Sequence, residues 1–168
     1  MPKISFAGFF LFALLTSSAL SAQKKAKSFI GGNLIYAVPS GMFKTGYKHG
    51  TGVDASLGVG TSKIYFVGTL GYLSYKAQSD NVYGKITVIP LKAGLRIRPT
   101  KSLFLAGNAG YGFLKDETMS SRDAKFMYDA GIGVHFILLD FGVYYDAWKK
   151  TNTPGYSGAV QLKFGMSL

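Results

Sequence analysis

The sequence predicts an all-β fold: an eight-stranded antiparallel up-and-down transmembrane β-barrel with three short periplasmic turns and four longer extracellular loops. Three observations carry this. From Phe29 to Leu168 the apolar residues recur at every second position, not at the helical spacing of three and four. Eight such segments fill that span, and about 9–11 tilted residues suffice for a strand to cross hydrocarbon. The joints between them alternate strictly between short and long, which in a meander gathers the tight turns and both termini at one end and the long loops at the other.

Composition excludes the main competitors. The 168 residues suit one domain. Hydrophobic residues make up 48% of the chain, yet mean hydropathy is only +0.18, too polar for a bundle of membrane helices. The same apolar content, with 15% aromatic residues, excludes a disordered chain. There is no Cys, hence no disulfide, thiolate metal site or Cys nucleophile.

The amino-terminal 22 residues read as a secretory signal peptide. Lys3 precedes an apolar run from Ile4 to Leu15, followed by the small residues Ser17 to Ala22. That run is too short for a membrane span of about 20 residues. Cleavage is expected after Ala22, with Ala19-Leu20-Ser21 a neighbouring site, leaving residues 23–168 as an outer-membrane barrel domain.

The first strand is expected over Phe29 to Val38. The second sets Val53, Ala55, Leu57 and Val59 against Asp54, Ser56, Gly58 and Gly60. The third, Lys63 to Lys76, is apolar on both faces, with Ile64, Phe66, Leu70 and Tyr72 against Tyr65, Val67 and Leu73, so alternation leaves its register open. In the fourth, Ile89, Leu91, Ala93, Leu95 and Ile97 oppose Pro90, Lys92, Gly94, Arg96 and Arg98. Pro90 cannot donate a ladder bond, so a bulge or the point of membrane insertion is expected there. The fifth strand is placed at Ser102 to Lys115. The sixth opposes Phe126, Tyr128, Ala130, Ile132, Val134, Phe136 and Leu138 to Met127, Asp129, Gly131, Gly133 and His135. The seventh runs from Asp140 to Lys149, and the eighth alternates Val160, Leu162, Phe164, Met166 and Leu168 with Gln161, Lys163, Gly165 and Ser167.

The short joints are Thr61-Ser62, Pro99-Thr100-Lys101 and Leu139-Asp140. The long ones are Pro39 to Gly50, Ala77 to Tyr83, Asp116 to Asp123 and Lys150 to Tyr156.

In hydrocarbon each unpaired backbone group costs several kcal/mol, so strands must close into a cylinder without edges. An eight-stranded lumen is just wide enough for side chains. The Gly-rich polar faces therefore belong inside, carrying Asn33, Asp54, Lys92, Arg96, Asn108, Asp129, His135, Asp146, Gln161 and Lys163, with Arg98 near one rim. Buried charges persist when paired, which predicts a plugged lumen held by a network of Asp54, Lys92, Arg96, Asp129, Asp146 and Lys163. Aromatic residues near segment ends (Tyr36, Tyr65, Phe66, Tyr72, Tyr75, Phe113, Phe126, Tyr128, Phe141, Tyr145 and Trp148) predict girdles at the two membrane interfaces.

Several stretches resemble the PorT-like outer-membrane protein β-barrel domain. They are Val88-Ile89-Pro90-Leu91-Lys92-Ala93-Gly94-Leu95-Arg96 with Leu105-Ala106-Gly107-Asn108-Ala109-Gly110-Tyr111-Gly112-Phe113, Gly31-Gly32-Asn33-Leu34 with Val38-Pro39-Ser40-Gly41, and Tyr128-Asp129-Ala130-Gly131-Ile132-Gly133. The resemblance implies an integral outer-membrane barrel and speaks to architecture more than to activity. One departure is the carboxyl end: many such barrels finish in an aromatic residue read by the barrel-insertion machinery, and this chain reads Gly165-Met166-Ser167-Leu168.

The functional expectation is a small outer-membrane protein with a structural or surface-interaction role through its loops. Its partners are outer-membrane lipid and lipopolysaccharide, and the insertion machinery during biogenesis. The net charge of +11 is spread singly along an exported chain, which argues against nucleic acid. No enzyme is expected: His49 and His135 are the only histidine bases, and neither shows a nucleophile at triad spacing. No cofactor, metal or nucleotide site has ligand spacing here. The rival reading is a soluble exported lipocalin-like barrel holding a small apolar ligand, with the apolar stripes turned inward. A lipid-A-modifying barrel enzyme ranks below it.

Overall fold

The computed structural model describes residues 26–78, 84–116, 122–149 and 156–168. The eight strands are β1 (Lys27–Ser40), β2 (Tyr47–Gly60), β3 (Ile64–Ala77), β4 (Ile86–Ile97), β5 (Leu103–Asp116), β6 (Asp123–Phe136), β7 (Leu139–Lys149) and β8 (Tyr156–Ser167). Each pairs antiparallel with its sequence neighbour, and β1 also pairs with β8, closing the barrel in up-and-down order. One helical turn, α1 (Phe43–Gly46), joins β1 to β2. The expected signal peptide lies outside the described residues, as do most of the other three long loops.

The strands extend beyond their sequence-expected limits because ladder pairing continues where the apolar rhythm fades. β1 and β2 remain paired to Ala37 and Gly50, so the connection expected over Pro39 to Gly50 shrinks to residues 41–46. Its helical turn folds inward and buries Phe43.

The short joints have distinct chemistry. Between β2 and β3 the Thr61 amide donates to the Ile64 carbonyl at 2.8 Å, and the Ile64 amide donates to Thr61 Oγ1 at 3.2 Å. Between β4 and β5 the Leu103 amide donates to Thr100 Oγ1 at 2.9 Å. The third turn is not Leu139-Asp140 as expected. β6 pairs with β7 as far as Phe136 opposite Leu139, so the two loop residues are Ile137 and Leu138. Ile137 has φ of 59°. A positive φ at the first loop residue is the type II′ hairpin signature, normally met by Gly.

Pro90 makes no bulge. The β3–β4 ladder runs through Thr69–Lys92 and Leu70–Leu91 and resumes in the same register at Leu73–Val88. The missing donor is absorbed as a gap opposite Gly71, where even a Cβ would lie 3.1 Å from Pro90 Cγ. The one register shift of that strand pair's neighbour falls between Tyr47 and His49 at the start of β2.

The open register of β3 resolves with Tyr65, Val67, Thr69, Leu73 and Tyr75 inward and Phe66, Leu70 and Tyr72 outward. On β8, Leu162, Phe164 and Met166 are 49%, 44% and 51% exposed, whereas Gln161 and Lys163 are 1% and 8% exposed. The apolar stripes therefore look outward, the opposite of a lipocalin-like arrangement.

Candidate functional site

The lumen holds the chain's buried chemistry in layers along the axis. At the turn end, Arg96 on β4 donates to Asp140 Oδ2 at 2.8 Å, and Asp140 Oδ1 lies 2.7 Å from His135 Nδ1. The Arg96 guanidinium lies 3.6 Å from the Phe104 ring centre and 5.4 Å from that of Phe29, a stacked setting that suits a planar cation. Next, Lys163 on β8 donates to Asp54 Oδ2 at 2.7 Å, and Asn33 Nδ2 donates to Asp54 Oδ1 at 2.6 Å. The Lys163 ammonium also lies 4.6 Å from the Tyr144 ring centre.

Closer to the loop end, Lys92 sits between two carboxylates. It donates to Asp146 Oδ1 at 3.0 Å and also pairs with Asp129. Asn108 Nδ2 donates to the other Asp129 oxygen at 2.6 Å, and Gln161 Nε2 donates to Asp146 Oδ2 at 2.8 Å. These strands deliver the groups to one axial level because Asn108 is register partner of Asp129, and Asp129 of Asp146.

The six residues singled out in the sequence are thus all buried, but they divide into separate clusters rather than one network. Lys92, Asp129 and Asp146 form one, and Asp54 with Lys163 a second. Arg96 joins neither; its partner is Asp140, which the sequence puts both in the expected turn and at the start of the seventh strand. With the turn at Ile137-Leu138, Asp140 is an inward position of β7. Arg98 stays at the rim, 5.3 Å from the Tyr65 ring centre. Burial and the like charge of Arg96 push its guanidinium below the ordinary value, while Tyr65 and Asp140 favour the cation.

The loop-end third of the lumen is apolar, which the sequence reading missed. Ile35, Ala37, Leu73, Tyr75, Val88, Leu114, Met127, Trp148 and Ala159 form a buried cluster beneath Phe43. Phe43 stands edge-on to Tyr75 and Trp148, at 5.1 and 4.8 Å between ring centres, and tilted against Tyr47 at 4.6 Å. Tyr65, Tyr75 and Trp148 therefore do not belong to the expected aromatic girdle. Tyr36, Phe66, Tyr72, Phe113, Phe126, Tyr128, Phe141 and Tyr145 do face outward.

Inward glycines make room for this filling. A Cβ at Gly58 would overlap the Phe29 ring, and one at Gly131 would overlap Tyr144. The remaining polar cavity, between Asn33, Asp54, Arg96, Asn108, Tyr144 and Lys163, measures about 40 Å³. That is room for roughly three waters, far below the ~300 Å³ of a ligand pocket.

Hydroxyl and imidazole do meet at the turn end: Ser167 Oγ is 3.5 Å from His135 Nδ1. A triad needs the acid on one ring nitrogen and the nucleophile on the other. Here Asp140 and Ser167 address the same nitrogen. His49 is not a loop residue; it lies on β2 and stacks on Tyr36 at 5.9 Å. Among the described residues no group of three or more acidic or His side chains is arranged to hold a metal.

Solved structures share this architecture. Neisserial surface protein A is similar at 17% identity and a TM-score of 0.61, covering 86% of this chain and 99% of that one. Ail of Yersinia pestis, solved in a phospholipid bilayer nanodisc, is similar at 15% identity and 0.59, covering 84% and 100%. The fold is that of the small outer-membrane barrels. The N-terminal β-barrel domain of Pseudomonas aeruginosa OprF agrees at 14% identity and 0.59, covering 86% and 100%. Ail has also been solved in complex with the heparin analogue sucrose octasulfate. At these identities the likeness extends to the fold and no further. No protein-family model and no curated protein matches the chain.

Proposed function

We propose that this protein is an integral outer-membrane barrel, exported by its amino-terminal segment, that acts as a closed, non-enzymatic scaffold presenting its loop end for surface interaction. The observation that carries the reading is the inverted partition of side chains, with apolar residues exposed on the outside of all eight strands and the buried ion pairs, carried by β2, β4, β6, β7 and β8, inside. Soluble monomers rarely expose contiguous apolar patches beyond a few hundred Å², whereas here Ile30, Leu34, Leu57, Phe66, Ile132 and Phe136 all stand exposed around the wall. In a bilayer the same surface is satisfied by acyl chains, and the closed ladder leaves no edge to hydrate.

The filled lumen supports a scaffold rather than a pore. Binding function then falls to loops on a rigid frame, with membrane lipid around the wall as constant partner and the insertion machinery as partner during assembly. The likeness of fold to Neisserial surface protein A and to Ail supports the same architecture.

The test is expression of the full chain in a Gram-negative host, followed by membrane fractionation and gel mobility with and without boiling. Recovery in the outer membrane only with detergent, and faster migration of the unboiled band, are expected. Recovery in buffer without detergent would sink the proposal.

A further inference from the structure

We infer that the loop-end rim carries a laterally directed cationic belt that binds the phosphates of outer-leaflet glycolipid, a claim that rests on the membrane reading above and names the lipid class. Charge is partitioned between lumen and wall. Of the chain's eight acidic residues, Asp54, Asp129, Asp140 and Asp146 are enclosed in the lumen. Among the described residues no outward strand position is acidic. The excess positive charge is left on the outside.

Part of that charge is gathered at the loop end, while Lys27, Lys63 and Lys101 are exposed at the turn end. Lys76, Lys115 and Lys149 end β3, β5 and β7 at outward positions, and Arg122 leads into β6 on the same side of its strand. All four are exposed. Each lies two or four residues loopward of an exposed aromatic residue: Tyr72, Phe113, Tyr145 and Phe126 respectively. At about 3.3 Å per residue and a tilt near 40°, these cations stand roughly 5–10 Å beyond the rings along the membrane normal. Aromatic side chains of this kind sit at head-group level, so the cations reach the phosphate layer just beyond.

The direction of these side chains selects the partner. A soluble polyanion would be met by cations pointing along the axis, whereas these point sideways, continuous with the apolar wall. The belt spans one arc of the barrel. β1 and β8 carry Val38 and Gly158 at comparable outward positions, while Lys44 in α1 and Lys48 on β2 are further exposed cations near the same rim, so bound glycolipid is expected chiefly along β3–β7, where outward cation and aromatic residue recur together. A glycolipid bearing two phosphates can bridge neighbouring strands.

The test uses the full chain reconstituted in phosphatidylcholine nanodiscs containing a minor fraction of either bis-phosphorylated lipid A or its dephosphorylated form, with bound lipid counted by mass spectrometry after extraction and washing. Near a surface each Lys contributes about fivefold, so Lys76→Gln, Lys115→Gln and Lys149→Gln together should lower retention of phosphorylated lipid A on the order of 100-fold. The Lys→Glu set should lower it further. Turn-end substitutions Lys27→Gln, Lys63→Gln and Lys101→Gln should leave it within about threefold. Equal retention of the two lipids, equal loss in the turn-end set, or full displacement by soluble sucrose octasulfate would overturn the inference. Heat-modifiable mobility is measured on each variant first. A chain without it refutes the membrane reading, whereas a heat-modifiable chain without lipid preference refutes only the belt.

Discussion

Replacing Lys92 with Met isolates the electrostatic part of the lumen's stability. Lys92 is 4% exposed, between Asp129 and Asp146, which are 2% and 1% exposed. At 3.0 Å and an effective dielectric near 20, attraction to Asp146 alone is about 5 kcal/mol before desolvation is subtracted. Met keeps most of the volume but leaves two carboxylates facing each other, and removing one partner of a buried pair costs about 3–5 kcal/mol. We therefore expect Lys92→Met to lose about 4 kcal/mol. Adding Asp129→Asn and Asp146→Asn removes the stranded charge, and each new amide still offers an oxygen to Asn108 or Gln161. The triple variant should recover at least half the loss. Equilibrium urea unfolding in vesicles, followed by the heat-modifiable band, measures all three proteins. A triple variant as unstable as Lys92→Met would show that packing, not charge, sets the cost, and a neutral Lys92→Met would refute the ion pair's role outright.

Four further substitutions probe other parts of the barrel. Ile137→Gly should stabilise by about 1 kcal/mol, since a β-branched residue at positive φ is strained; a loss in the same urea assay would contradict the turn assignment. Phe43→Ala should cost about 3 kcal/mol. It should also red-shift the emission of Trp148, the sole Trp, and unchanged acrylamide quenching would mean that α1 does not seal the mouth. Gly131→Val drives two methyl groups into the space of Tyr144 and should cost about 1–3 kcal/mol or prevent folding, whereas Gly68→Val, at an outward position with no atom within 4 Å of a Cβ, should be nearly neutral.

Strand order and the outward direction of β8 were legible because a period of two, with joints alternating in length, admits few topologies. What escaped was wherever one residue type serves two environments. Tyr75 and Trp148 occupy inward positions of the loop-end plug, but an aromatic residue at a strand end reads equally as an interface residue. Leu73 and Val67 made both faces of β3 apolar, and only pairing with β2 and β4 decides between them. Phe43 had no periodic neighbours, so its burial depends on Tyr47, Tyr75 and Trp148 meeting from three strands. Asp140 looked like turn punctuation because Ile137-Leu138 carries no turn residue. The charged clusters were separated for a like reason: Lys163 and Asp54 are distant in sequence, and only the circumference of the cylinder determines which acid each cation reaches.

The seam between β1 and β8 has a temporal consequence. It pairs Gly31 with Ser167 and Ser40 with Gly158, and the Ile30 amide donates to the Leu168 carbonyl at 3.0 Å while the Leu168 amide donates to the Ile30 carbonyl at 2.9 Å. Until β8 is available β1 has no ladder partner on that side, so closure joins the two strands furthest apart in sequence, bears the largest loop-closure entropy of any strand pairing in the barrel, and follows the pairing of the intervening hairpins.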